Sequence, residues 1–126
     1  MSNLTERPIA LTLAAEPDLA RLVRMTAANV GALAGMSVDR IEDMRMAAEE
    51  AFIYASSADP DGALTITFSF DDDGVRMTFE LALDAFPTVK EGDPAAYADL
   101  LLAAVCDSYE RADGPARLVL ALGTDA

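Results

Sequence analysis

Histidine and tryptophan are absent from this chain, and cysteine occurs once, at Cys106. Without an imidazole, the Ser-His-Asp and Cys-His mechanisms have no base. Zinc and copper lose their usual nitrogen and sulfur ligands. Acid–base chemistry would have to run on carboxylates, tyrosine or lysine. A lone cysteine cannot close an intramolecular disulfide, which is the usage expected of a reducing cytosol. Cations are scarce as well: nine Lys and Arg stand against 22 Asp and Glu, a net charge of −13. That balance leaves no footprint for a phosphate backbone, so direct nucleic-acid binding is not expected. A macromolecular partner would instead present a basic surface. No run approaches the roughly 18 consecutive apolar residues of a membrane span. The opening MSNLTERPIA has no basic segment followed by an apolar core, so a cytoplasmic protein without membrane contact is expected.

What is present is the composition of one globular domain over residues 1–126, with 52% hydrophobic and 25% charged residues. Ile9, Leu11 and Leu13 alternate in PIALTLA, the period of a half-buried strand. Pro17 opens a helical spacing that runs through Leu19, Leu22, Val23, Thr26, Val30 and Leu33, and Gly35 can end it. Ser37 is suited to cap a second helix from about Val38 to Ser56, with Ile41, Met44, Ala48, Ala51, Phe52 and Ala55 on one face. After the SADPDG break, Leu64, Ile66, Phe68 and Phe70 alternate with polar residues, and Val75, Met77, Phe79, Leu81 and Leu83 do so again beyond Asp71-Asp72-Asp73-Gly74. These predict a hairpin with one buried face. A loop over 84–93 leads to Asp93-Pro94, which opens a third helix to about Tyr109, and a last strand covers Arg117 to Leu122. The order β-α-α-β-β-α-β predicts an α+β fold, a two-layer sandwich with helices on one face of a mostly antiparallel sheet.

Within the second helix the stretch I-E-D-M-R-M-A-A-E-E-A (Ile41–Ala51) ends in Glu50-Ala51. That phrase and the element order resemble the anti-sigma-factor serine kinases, small members of the GHKL (histidine-kinase-like) ATPase superfamily, over nearly the whole chain. The resemblance implies that Glu50 stands where the family has its catalytic base. Its Mg²⁺-binding Asn, four residues on, is replaced by Tyr54. Its adenine-reading Asp corresponds to Asp84, with Phe86 in place of the first glycine of that box. Its phosphate-cradling Gly-x-Gly before the third helix falls on Ala96 and Ala98. A phenol is a poor Mg²⁺ ligand, and phosphate cradles depend on free backbone amides.

The reading that follows is a family member without catalysis, which acts by protein contacts on a sigma factor or an anti-anti-sigma-type protein and pairs as a homodimer. No cofactor is expected; ATP with Mg²⁺ belongs to the alternative, an active serine kinase. A third reading is an unrelated α+β domain that binds a small apolar ligand or itself.

Each residue also has a plainer role. Glu50 can be a solvated helix charge, and Glu49, nearer Met46 and Ile53, an edge charge facing the first helix. Asp84 can be a turn residue at a strand end. Tyr54 and Phe86 can fill an emptied pocket together. The acidic run 71–74 reads as a hairpin turn rather than a calcium loop, because alternating ligands and a distal Glu are missing. Cys106 reads as a packed small residue, and Met25 and Met36 as candidates for an adaptable partner surface.

Overall fold

The computed structural model describes residues 9–124. Its strands are β1 (Ile9–Ala14), β2 (Ala63–Asp71), β3 (Gly74–Leu81), β4 (Ser108–Ala112) and β5 (Arg117–Gly123). Its helices are α1 (Ala20–Leu33), preceded by a single 3-10 turn at Pro17–Leu19, α2 (Val38–Ala58) and α3 (Pro94–Val105). The strands form one sheet in the order β1-β2-β3-β5-β4, and every neighbouring pair is antiparallel.

The alternation that marks the hairpin also fixes its register. Leu64, Ile66, Phe68 and Phe70 of β2 and Val75, Met77, Phe79 and Leu81 of β3 are buried, together with Leu118, Leu120 and Leu122 of β5. All three rows point to the helix side, where Val23, Val30, Met44, Phe52 and Leu102 close the core. A one-residue slip would expose every one of them. The architecture is the expected two-layer α+β sandwich. No helix among the described residues is long and apolar enough to cross a membrane.

Local chemistry sets the helix ends. Gly35, with φ of 87°, carries the chain out of α1 in the left-handed conformation, while the Met36 amide bonds the Gly31 carbonyl at 3.0 Å. This 6→1 closure satisfies a carbonyl that the helix end leaves open. Ser37 then caps α2, its hydroxyl accepting from the Arg40 amide at 3.2 Å.

One element differs from the expected order. The third helix stops at Val105 rather than near Tyr109, and Ser108–Ala112 is an edge strand on β5. The SYERA segment has no apolar alternation to announce it. What makes it a strand is the ladder that the β5 backbone offers.

Candidate functional site

Helices α2 and α3 run antiparallel, and the side chains at the two ends of their seam show it. At one end Tyr54, Ser57 and Ala58 of α2 share a cavity with Pro94 and Ala95 of α3. At the other, Arg40 and Asp43 of α2 meet Asp107, just beyond α3.

The first end is built around Tyr54, which is 4% exposed. Its hydroxyl accepts from Arg111 Nη1 of β4 at 2.5 Å, and the same nitrogen donates to Asp99 Oδ2 of α3 at 3.2 Å. Tyr109 donates to the other Asp99 oxygen at 2.5 Å. The Phe86 ring lies against Tyr54, centroids 5.6 Å apart and planes tilted by 41°, with the Arg111 guanidinium 6.0 Å from its centre. Phe86 is held there by its chain: its amide donates to Asp113 Oδ1 at 3.0 Å, and the Gly114 and Ala116 amides bond the Asp84 and Leu83 carbonyls. Two helices, a loop and the strand absent from the expected order therefore converge on one aromatic–guanidinium cluster.

Burial raises the Tyr54 phenol pKa above its ordinary value, and Arg111 only partly offsets this. Burial and donation to Asp99 push Tyr109 far higher. Both phenols therefore stay neutral, and Arg111, its charge favoured first by the bond to Tyr54, stays cationic.

These residues do not fit Mg²⁺-nucleotide. At the position of the implied metal ligand stands a neutral phenol bonded to a guanidinium, which repels a metal ion. Among the described residues no cluster of acidic or thiol side chains is arranged to hold a metal. The adjoining cavity, about 230 Å³, is lined by Tyr54, Ser57, Ala58, Pro87, Thr88, Val89, Asp93, Pro94 and Ala95, with neither Lys nor Arg among them. Pockets for drug-sized ligands start at about 300 Å³, and a triphosphate would also face the Asp93 carboxylate. Pro94, first in α3, has no amide to offer. Ala96 and Ala98 lie inside α3, not in a loop before it, and Ala98 is buried. The segment that the resemblance makes a phosphate cradle is thus closed into helix.

Asp84 lies just past β3 in an exposed stretch, and its carboxylate makes no hydrogen bond or ion pair among the described residues. Glu50 sits on the α2 flank that faces α3, seven residues from Asp43 at one end of the seam and four from Tyr54 at the other. It is half-buried, without a hydrogen bond or ion pair among the described residues, and it does not line the cavity. Burial first, then the charge of Glu49, raises its pKa. Glu49 itself accepts from Arg24 of α1 at 2.9 Å, an edge charge that ties the two helices together. So Tyr54 and Phe86 are brought together, while the Glu50 and Asp84 carboxylates make no hydrogen bond or ion pair with them among the described residues.

The Asp71 carboxylate takes the Asp73 and Gly74 amides, which makes the acidic run a hairpin turn. Cys106 is buried, and burial pushes its thiol up to about 12. Met25 is exposed, whereas Met36 is buried in the core.

Two arginines escaped the sequence reading. Arg111 gave no signal, because its strand gave none. Arg40, only 6% exposed, donates to Gly123 O at 2.8 Å, Asp43 at 3.1 Å and Asp107 at 2.7 Å, joining the start of α2 to the ends of α3 and β5. Its faint signal was a basic residue on the same face as Met44 and Ala51. The Gly123 amide, then Arg40, holds Asp107 below the usual carboxylate range.

No protein-family model matches this chain, and no curated protein matches it in sequence.

Proposed function

We propose that this chain is a protein-binding regulator of the anti-sigma-factor type that works in the cytoplasm without nucleotide. The observation that supports this most directly is the Tyr54–Arg111–Phe86 cluster, which joins the position where the resemblance implies a metal ligand, Tyr54, to the one where it implies the first glycine of the adenine box, Phe86. A surface relieved of phosphoryl transfer is left with protein contacts. Its partner, such as a sigma factor or an anti-anti-sigma-type protein, then brings positive charge to a chain of net charge −13. Pairing as a homodimer belongs to the same reading.

One observation favours the second reading, an active serine kinase. Glu50 is a half-buried carboxylate with raised proton affinity and no partner among the described residues, which suits a general base. Phosphoryl transfer also needs charge to neutralise the phosphates, and the cavity lining holds one carboxylate, Asp93, and neither Lys nor Arg. Calorimetric titration with ADP and ATP, each with and without Mg²⁺, separates the two. The expected result is no binding heat at ~1 mM nucleotide, the weak limit of about −4 kcal/mol. Mg²⁺-dependent binding would return Glu50 to the role of base and the chain to the kinases.

A further inference from the structure

Helix α3 reads PAAYADLLLAAV, apolar on every side except at Asp99. That carboxylate is committed to Tyr109 and Arg111. A helix apolar all round is normally buried all round. Here only Ala98 and Leu102 are buried, while Tyr97 is 64% exposed and Leu100 73%. Tyr97, Leu100, Leu101 and Ala104 follow one another at three, four and seven residues, a continuous stripe.

The wall beside this stripe is acidic. On the α2 flank along the seam stand Asp43, its side chain 40% exposed although paired with Arg40, and Glu50, without a partner among the described residues. Glu91 and Asp93 precede the helix beside Lys90, and Asp107, 56% exposed and paired with the same Arg40 as Asp43, follows it, so acids outnumber cations along the seam. A second copy of this chain would bring the same acids to the same place, and like charges across an interface are unfavourable.

We infer that the α2–α3 seam is a docking groove for an amphipathic helix with a basic face, laid along α3. Its apolar residues meet Tyr97 and Leu100 and its Lys or Arg side chains meet Glu50 and Asp43. The 12 residues of α3 give a track of about 18 Å, which three turns of partner helix cover. Apolar anchors at i, i+3, i+4 and i+7 are how such grooves are read. Glu50 then receives the counter-ion that its own fold does not provide.

The inference rests on reading the chain as a protein-binding module. Its test uses two defined helical peptides, one of leucines at those spacings with lysine elsewhere, the other with glutamate for lysine, titrated against the whole chain by fluorescence anisotropy. The lysine peptide is expected to bind and the glutamate peptide not. Tyr97→Ser with Leu100→Ser should weaken binding tenfold or more, and Glu50→Gln about threefold. Asp72→Asn in the hairpin turn and Met25→Ser on α1 should change it less than twofold; both are exposed, as are Tyr97 and Leu100, and Glu50→Gln keeps the size of a half-buried side chain while removing its charge, so all variants should fold. Equal weakening by Asp72→Asn and Glu50→Gln would reduce the effect to net charge and overturn the groove. So would binding indifferent to the α3 pair, or sedimentation showing that the α3 pair dissociates a dimer, which would make a second copy the occupant. Nucleotide binding would overturn the regulatory reading while leaving the peptide result standing, so the two failures are separable.

Discussion

Glu50 is a side chain on which folding and the proposed docking pull in opposite directions. Burial and Glu49 both raise its proton affinity in the folded state, so its ionised form opposes folding. In linkage terms, a carboxyl whose folded pKa lies above its unfolded value of about 4.3 contributes stability below that value, and loses it as pH rises through the folded pKa. Glu50→Gln, which cannot ionise, is therefore expected to raise the melting temperature at pH 7. The gain should shrink as pH falls and vanish below about pH 3, where the carboxyl is protonated in both the folded and the unfolded state. Thermal melts of the two proteins at several pH values check this, and a gain independent of pH would mean that the change acts through packing. A residue that costs stability at working pH and weakens peptide docking when replaced would show the trade between stability and function expected at a binding surface.

At the scale of elements, legibility followed apolar periodicity. The hairpin of β2 and β3 and the start of α2 stood out because each has a buried face or a capping residue close in sequence: the Leu64–Phe70 alternation, and Ser37 before Val38. Strand β4 did not, because an edge strand of five residues with Glu110 and Arg111 in it carries no core-facing row. Missing β4 meant missing Arg111, and with it the reason that Tyr54 and Phe86 meet. The resemblance placed a loop motif on Ala96 and Ala98, against the sequence's own signal that Asp93-Pro94 opens a helix, and the helix signal is the one the structure bears out. That correction has a measurable consequence. Were these positions a lapsed phosphate loop, Ala96→Gly with Ala98→Gly would restore nucleotide affinity. As interior positions of α3, each glycine costs about 1 kcal/mol of helix propensity, and Ala98 also gives up a buried methyl worth roughly 0.8 kcal/mol. The double variant should lose about 2–3 kcal/mol in urea unfolding and gain no affinity for ADP or ATP.

For the whole molecule the question is whether its ion pairs or its unpaired charge dominates. Five ion pairs are found among the described residues, and their cations are Arg24, Arg40, Arg45 and Arg111. Four of the five acids they engage keep more than a third of their side chain exposed or nearly so, a setting in which a pair contributes about 0–1 kcal/mol. Against them stands a net charge of −13 on 126 residues. That excess is uneven. Residues 20–58, holding α1 and α2, carry four arginines (Arg21, Arg24, Arg40, Arg45) and five acids (Asp39, Glu42, Asp43, Glu49, Glu50), a net of −1, so the remaining −12 falls on the rest of the chain. Self-repulsion on that scale destabilises the compact state, and salt shortens its range from about 30 Å at 0.01 M to about 3 Å at 1 M. Raising sodium chloride from ~0.02 M to ~0.5 M is therefore expected to raise the melting temperature, whereas a fold held mainly by its ion pairs would melt lower. The same addition should weaken the lysine peptide, because its attraction is screened as well. Stability rising while docking falls in one salt series is the pattern of an acidic domain whose surplus charge is kept for a partner rather than for its own fold.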